Sequence, residues 1–418
     1  MKFIPLSPDG RVYFSLGGQA RERVEYYNEF LFGASTPKAS DAYLLTRLRL
    51  SGDLHVTDYF RAFVEGRSAF ATDRDLTGGA TNAFESKFTL LNAFGDVKIP
   101  FGDKDSLTVR GGRFEMIYGS QRLVSSADYT NITRTFDGGL GIFKIAGWTI
   151  TPFWTIPVVA DVDITNMPFN RASPHQSLFG IFATDTAEDY PPFPLPRPLP
   201  HTRFSVDLYW FGVNNAMTTF NGTTGREERQ TLGGRIFGKL DPTGLDYELE
   251  GAGQFGTVGN KNIAAGMGTA VLGYTLPVLQ QMAPRVYVEF DYASGDGHRG
   301  GTVGTYNQLF PNTHIYLGYI DYIGRQNIIS GNSGVSVSPL KDLTISLQHY
   351  FFWRASDRDA LYNKAGGILR PGNTTTGRYV GAETDLLVNY SFTRHLLGYA
   401  GYSHFFPGDF IRATGKHS

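Results

Sequence analysis

The segment between residues 42 and 70 alternates between polar and apolar side chains with a period of two. Arg47 and Arg49 fall on one parity of this alternation, and Leu48 and Leu50 fall on the other. A period of two is the spacing that a β-strand imposes on its two faces. The alternation breaks once near its middle and then resumes, which predicts two strands of about 12 residues joined by a tight turn.

Segments of this kind recur along the whole chain. A tilted strand of about 9 to 11 residues crosses a bilayer, and many of the predicted segments reach that length. The sequence therefore predicts an all-β fold, an antiparallel transmembrane β-barrel that forms one domain over residues 1–418. The other predicted strands, which bring the count to 17, are 12–26, 86–100, 106–118, 135–146, 148–159, 176–184, 203–214, 231–240, 245–257, 263–275, 285–293, 327–338, 343–353, 379–391 and 396–406.

The predicted connections alternate between long and short, which is typical of porins, with long loops outside the cell and short turns in the periplasm. The main exception is the proline-rich segment 185–200, which falls where a short turn is expected. Its prolines favour an extended, semi-rigid conformation, and either an inserted spacer or a partner-binding segment fits this pattern. The predicted long loops are 27–42, 73–85, 119–134, 161–175, 215–229, 294–326 and 354–378.

The two ends of the chain lead to further expectations. Bacterial barrels have even strand counts, so 17 predicted strands suggest that an eighteenth, closing strand follows Ser418. The first residues contain no apolar segment of signal-peptide length. Because an outer-membrane protein must be exported, we expect that a leader has been removed.

Composition excludes one class of membrane protein and agrees with another. No run of 18 apolar residues occurs, which excludes a helical membrane protein. The 50 Gly, 23 Tyr and 32 Phe residues, with no Cys, suit a glycine-rich barrel with aromatic girdles. The net charge of −1 gives no indication of a nucleic-acid partner.

Energetics decides which face of each strand meets lipid. An arginine facing lipid at the bilayer midplane costs about 2 to 4 kcal/mol, so the charged parity is expected to line the lumen. Of the 38 cationic residues, 27 are arginines. The candidate pore-lining arginines of the first strands are Arg21, Arg23, Arg47, Arg49, Arg61 and Arg67. The acidic residues on lumenal parity are Glu25, Asp53, Glu65, Glu248, Glu250, Glu289, Asp291, Glu383 and Asp385.

These lumenal charges allow two interpretations. Either they pair across neighbouring strands and stiffen the wall, or unpaired guanidinium groups form a track for anions, because arginine matches carboxylates well. If Arg47 and Arg49 are free, they are the stronger candidates for such a track. Arg61 and Arg67 are expected to be the paired residues, because Glu65 lies close by on the same face.

The densest motif runs from residue 111 to residue 138. It resembles the signature of the alginate-export family of outer-membrane porins, and the resemblance extends to segments 43–50, 291–297, 360–363 and 401–415. It implies an 18-stranded barrel with an electropositive constriction used by an acidic polysaccharide or other small anions. The matching residues are Gly112, Arg113, Glu115, Tyr118, Gly119, Gln121, Arg122, Leu123, Asp128, Asn131, Arg134, Phe136, Asp137 and Gly138.

Three arginines of this motif flank one long loop. Arg113, Arg122 and Arg134 lie near Glu115 and Asp137 in the sequence. They could contribute to the constriction, or they could form a salt-bridge cluster that pins the loop.

The sequence favours a channel in the bacterial outer membrane for passive, anion-preferring diffusion or export of an acidic, alginate-like polysaccharide or of sugar acids. The alternatives are a general diffusion porin without marked selectivity and a barrel-embedded hydrolase. Expected partners are outer-membrane lipid, an anionic sugar or polysaccharide cargo and periplasmic export partners, but no nucleic acid. No cofactor is expected, although Asp291 and Asp296 lie among glycines in a loop that could hold calcium through oxygen ligands.

Overall fold

Antiparallel strands account for most of the described chain. The computed structural model describes residues 2–79, 81, 83–160, 171–185, 202–240, 243–297 and 300–416. The helical elements in these residues are a 3-10 turn, Gln280–Met282, and one short helix, α1 (Asp409–Ala413). The strands are β1 (Lys2–Pro5), β2 (Val12–Tyr27), β3 (Asp41–Val56), β4 (Phe60–Thr72), β5 (Ser86–Pro100), β6 (Ser106–Phe114), β7 (Phe136–Ile145), β8 (Trp148–Val159), β9 (Arg171–Ala172), β10 (Gln176–Asp185), β11 (Thr202–Phe220), β12 (Thr223–Leu240), β13 (Leu245–Val258), β14 (Lys261–Thr275), β15 (Arg285–Ala293), β16 (Thr302–Val303), β17 (Ile328–Leu340), β18 (Leu343–Arg354), β19 (Leu361–Tyr362), β20 (Ile368–Arg370), β21 (Tyr379–Thr393) and β22 (Leu396–Pro407).

The long strands form the wall of the barrel. Seventeen strands in the described residues are nine residues or longer, and each pairs antiparallel with the next along the chain, from β2 to β22. They correspond one to one to the 17 strands that the alternation predicts. The predicted all-β fold and its strand order are therefore confirmed.

The faces of the wall also follow the predicted parity. In β3, Leu48 and Leu50 point outward and Leu50 remains 69% exposed, whereas Arg47 is fully buried. In β4 the outward Val64 is exposed, whereas Arg67 is buried. The charged side chains of β3 and β4 thus point into the lumen, and the outer face of these strands is the apolar one that lipid can cover.

Two predicted boundaries were wrong. Residues 215–229 are not a long loop, because β11 and β12 continue to a two-residue turn at Asn221 and Gly222. Both residues have positive φ, 42° and 80°, as a type I′ turn requires, and Asn-Gly is the strongest sequence signal for that turn. The strand predicted to reach residue 118 ends at Phe114, because the next amide, of Glu115, donates to the Asn92 side chain.

The seam of the barrel lies between β2 and β22. At this seam β1 pairs antiparallel with residues 13–16 of β2. Among the described residues, no strand pairs with the second edge of β22, and β2 and β22 do not pair with each other. The expectation of a further closing strand stays a prediction.

Two long connections fold into the lumen. The first inner loop, residues 115–135, joins β6 to β7, and the second inner loop, the described residues 294–297 and 300–327, lies between β15 and β17. They meet in a parallel bridge between Val124 and Phe310. Apart from Asp185, the proline-rich segment lies outside the described residues.

Within the described residues, no helix has the length and apolar character to cross a membrane.

The outward position of Leu50 yields a test of the wall assignment. Leu50→Arg should lower the free energy of unfolding in lipid by about 2 to 4 kcal/mol, because it places a cation at mid-strand depth. Leu396→Arg, next to the turn that precedes β22, is the matched control and should cost about 0 to 1 kcal/mol. Denaturant unfolding in liposomes measures both, and equal costs at the two positions would contradict the assignment.

Candidate functional site

Arginines of the β2–β4 wall hold the first inner loop by its backbone carbonyl groups. Arg21 donates to the carbonyl oxygens of Asp128 at 2.9 Å and Thr130 at 2.7 Å, and Arg47 donates to the same two oxygens at 3.0 and 3.1 Å. Arg23 donates to the carbonyl oxygen of Tyr129 at 2.5 Å. The tip of the loop is therefore fixed across the lumen by charge-assisted hydrogen bonds. Further along the loop, Arg67 donates to the carbonyl and hydroxyl oxygens of Thr133 at 3.1 and 3.2 Å.

The register of these strands places like charges side by side. Arg21 lies directly opposite Arg47, and Arg49 lies directly opposite Arg67. Like charges in such positions destabilise a sheet. The loop carbonyl groups and the nearby carboxylates offset this repulsion, so the wall depends on the loop as much as the loop depends on the wall.

Arg49 joins the wall to the first residue of the first inner loop and to the tip of that loop. It donates to Glu65 at 2.8 and 2.9 Å, to Glu115 at 2.9 Å and to the Asp128 carboxylate at 3.3 Å. The Asp128 carboxylate also lies 2.9 Å from Arg47. Arg47 and Arg49 are therefore paired and not free.

The partner expected for Arg61 and Arg67 was wrong. Glu65 pairs with Arg49 across the β3–β4 ladder, and Arg61 forms a two-point ion pair with Asp53 at 2.8 and 3.0 Å. In both pairs the residues are diagonal neighbours on adjacent strands. Such diagonal neighbours lie within reach of long side chains.

The other end of the first inner loop is held by the opposite wall. Arg122, only 1% exposed, lies 3.0 Å from Glu250, 2.9 Å from Glu289 and in contact with Glu248. Ser120 also donates to Glu250 at 2.6 Å. A cation that meets three carboxylates in a buried position is a structural anchor, because removal of one partner would leave the other charges uncompensated.

Arg113 and Arg134 also hold structure in place. Arg113 forms a two-point pair with Asp137 on the next strand at 2.6 and 2.8 Å. Arg134 donates to the carbonyl oxygens of Ser125 at 2.8 Å and of Phe310 at 2.7 Å, which ties the two inner loops together. Burial lowers the pKa of Arg134 to about 10, so it remains charged at neutral pH. The Arg134 contacts fit the second of the two alternatives, a cluster that pins the loop. The expectation that Arg113 and Asp137 line the pore was wrong, because their pair joins two wall strands on the parity opposite to the buried Phe114 and Phe136.

Acidic side chains of the wall hold the second inner loop. Arg325 of this loop contacts Asp291 of β15. The backbone amide of Ile320 donates to Glu383 at 2.9 Å, and that of Tyr319 donates to Asp385 at 3.2 Å. This wall therefore supplies acceptors to the inner loops, whereas the β2–β4 wall supplies donors.

Next to the tip of the first inner loop, the two inner loops meet a third connection, residues 355–378 between β18 and β21. Tyr129 stacks on His314 with ring centroids 4.3 Å apart, and Asp321 lies 3.1 Å from His314 and 3.0 Å from Lys364. Burial alone would raise the pKa of Asp321, but Lys364 and His314 hold it below its ordinary value. The carboxylate is thus kept charged and keeps the three connections in contact.

An aromatic block fills another sector of the lumen. Tyr118 of the first inner loop stacks on Phe182 with centroids 5.0 Å apart and packs on Phe153 at 5.3 Å and on Phe211 at 6.1 Å. The three phenylalanines are buried and come from β8, β10 and β11. This sector is packed as a hydrophobic core, so a solute cannot pass along it.

An open cavity of about 530 Å³ lies beside the first inner loop, toward the short-turn end of β2–β6. We call it the vestibule. Arg110 shares the lumenal parity of β6, but sequence reasoning missed it. It pairs with Asp96 at 2.7 and 2.8 Å, and its Cζ atom lies 3.8 Å from the ring centroid of Phe94. Phe63 stacks on Phe94 with centroids 5.3 Å apart. The residues that line the vestibule are Gly17, Gly18, Gln19, Arg49, Ser51, Arg61, Phe63, Glu65, Asn92, Phe94, Arg110, Phe114 and Glu115.

The suggested calcium loop is not assembled. Asp291 points into the lumen, where it pairs with Arg325 and accepts a hydrogen bond from Thr269 at 2.5 Å. The amide of Asp296 instead donates to Asp359 at 2.7 Å. Within the described part of the chain, no group of three or more His, Asp or Glu residues is arranged to hold a metal ion.

Comparisons with known proteins identify both a family and a fold. The family model described as alginate export matches residues 12–418. No curated protein matches the sequence significantly. Among solved structures, OccAB1 of Acinetobacter baumannii is 12% identical with a TM-score of 0.59, over 95% of this chain and 91% of that chain.

Two porin structures from Pseudomonas aeruginosa are similar to the same extent. OccK2 (OpdF) is 12% identical with a TM-score of 0.53, over 97% of this chain and 93% of that chain. OpdK is 8% identical with a TM-score of 0.55, over 97% of this chain and 94% of that chain. At these identities the likeness concerns the fold, that of outer-membrane β-barrel porins.

The grip of the wall on the loop tip can be measured. Arg47→Gln should loosen the first inner loop and raise amide hydrogen exchange over residues 126–134, because Arg47 binds two of its carbonyl oxygens. Arg61→Gln is the matched control, since its partner Asp53 lies on the wall. Exchange followed by mass spectrometry distinguishes them, and unchanged protection in Arg47→Gln would show that this arginine does not hold the loop.

Proposed function

We propose that this chain, which belongs to the alginate export family and is a bacterial outer-membrane channel, conducts acidic sugars or an acidic, alginate-like polysaccharide along the arginine-lined side of its lumen. The family and the porins of similar fold are channels and not enzymes. The hydrolase alternative is therefore set aside. Periplasmic export partners stay a prediction.

The vestibule is the observation that carries this proposal. Arg49, Arg61 and Arg110 present guanidinium N–H groups there, and Gln19 and Asn92 contribute amide groups. Guanidinium groups match carboxylates, and amides can bind sugar hydroxyl groups. The rings of Phe63 and Phe94 add an apolar surface against which a pyranose ring can pack.

Most acidic groups of the opposite wall are covered, although Glu248 and Asp246 keep 19% and 21% of their side chains exposed. Asp207, Glu250 and Glu289 are all less than 10% exposed, and Glu383 and Asp385 are fully buried beneath the second inner loop. On the vestibule side, Arg61 keeps 31% of its side chain exposed. A solute in the open part of the lumen therefore meets arginines more readily than it meets these carboxylates.

Ligands of two structurally similar porins agree with this class of cargo. The OccK2 structure is a complex with glucuronate, and the OpdK structure contains vanillate. Both ligands are carboxylates. At 12% and 8% identity they support a chemical class for this chain but not a particular molecule.

A second candidate function rests on the pairing of the arginines. Arg61, Arg110 and Arg113 each share a two-point contact with an aspartate, so their charges are compensated locally. A wall of compensated charges favours a general diffusion porin without marked selectivity. The two functions differ in whether a solute carboxylate can engage guanidinium groups that already have a partner.

Solute uptake distinguishes the two functions. Liposomes that contain the protein should admit glucuronate faster than glucose. The double variant Arg61→Gln/Arg110→Gln should lose most of this preference, because the vestibule loses two of its three guanidinium groups. Added salt should weaken the preference, since the Debye length falls from about 10 Å at 0.1 M to about 3 Å at 1 M.

The matched control for this test is Arg285→Gln. Arg285 forms the same kind of two-point pair with Asp246, at 2.6 and 2.9 Å, but on the wall away from the vestibule. It should leave the preference unchanged. Equal uptake of glucuronate and glucose by the wild-type protein would favour the unselective porin.

A further inference from the structure

We propose that Asp128 is an exchangeable counter-ion at the tip of the first inner loop: its carboxylate occupies the position in which a solute carboxylate binds Arg47 and Arg49, and it is displaced when a solute arrives. The inference rests on the proposed function and deepens it. It assigns the residue that sets how tightly the channel holds each acidic group.

The contact geometry singles out Asp128. Two guanidinium groups converge on its Oδ1 atom, Arg47 at 2.9 Å and Arg49 at 3.3 Å. The other two acidic partners of Arg49 are enclosed, with 9% of the Glu65 side chain and 20% of the Glu115 side chain exposed. Asp128 is 55% exposed. It is therefore the partner that water and solutes can reach.

The loop does not need this carboxylate to stay in place. The carbonyl oxygen of Asp128 accepts separate hydrogen bonds from Arg21 at 2.9 Å and Arg47 at 3.0 Å. The carbonyl oxygens of Tyr129 and Thr130 are also held by wall arginines. The side chain of Asp128 can thus rotate into the lumen while its backbone remains bound.

An exchange of this kind suits a channel better than an empty site. A free pair of arginines would hold a carboxylate firmly, whereas conduction requires binding that is weak enough for release. When Asp128 leaves and a solute carboxylate enters, the arginines exchange one charge-assisted acceptor for another, and Asp128 gains hydration. The free energies of the two states are therefore similar, so each acidic unit of the solute can dissociate again.

Asp128→Asn is the direct test, with sodium glucuronate as the probe. It removes the competing charge and keeps the side-chain shape. Single-channel recordings at low salt should show glucuronate binding about tenfold tighter, the factor expected for one charge-assisted hydrogen bond. The bound state should last longer, and glucuronate should block the current more often.

Asp246→Asn is the matched control. Asp246 shares the lumenal parity of Glu248 and Glu250 on β13 and is also partly exposed, but it faces the single guanidinium group of Arg285. It removes the same charge without opening a site between two arginines, so glucuronate affinity should change little. Heat-modifiable mobility in gels checks that both barrels are folded, and Asp128→Ala provides a second variant if Asp128→Asn does not fold.

The outcomes distinguish a failure of the proposed function from a failure of the counter-ion role of Asp128. Equal permeation of glucuronate and glucose through the wild-type protein would overturn the proposed function and this inference with it. If the wild-type protein prefers glucuronate but Asp128→Asn binds it no tighter than Asp246→Asn does, the counter-ion role alone is wrong. Tighter binding confined to the Asp128 variants supports it.

Discussion

The structure depends on charged side chains of the wall that satisfy the backbone of the inner loops. Irregular backbone at membrane depth is tolerated only where protein or a water-filled cavity provides hydrogen-bond partners. Here Arg21, Arg23 and Arg47 bind loop carbonyl groups, and on the other wall Glu383 and Asp385 accept from loop amides. The β2–β4 wall thus contacts the loops through cations because carbonyl groups accept hydrogen bonds, and the other wall contacts them through carboxylates because amides donate hydrogen bonds.

This division explains why the lumen can carry many charges in a nearly neutral chain. Most of the lumenal charges in the described residues have a partner nearby, either a charged side chain or a backbone group, so few act as isolated ions. What a solute experiences is the exposed part of each pair. Selectivity in such a lumen depends on which member of a pair is covered, and an excess of arginine over lysine does not determine it alone.

The strands and their faces could be predicted from the sequence, because a period of two and the cost of charges in lipid are local and general rules. The partners of the arginines could not. Arg122 meets Glu250, which lies 128 residues away, and the acceptors of Arg21 and Arg47 are carbonyl groups that every residue carries. No side-chain pattern marks such acceptors. The turn at Asn221 and Gly222, by contrast, had a clear signal that the predicted loop boundaries overlooked.

The aromatic block and the arginine wall together determine where a solute can travel. Tyr118 anchors the first inner loop in a dry core against Phe153 and Phe182. Arg122 anchors the same loop on the acidic wall, and the tip of the loop lies against β2–β4. The vestibule lies beside this loop, on the side where Arg49, Arg61 and Arg110 lie. The first inner loop is therefore also the element that brings a solute in the vestibule against the arginines.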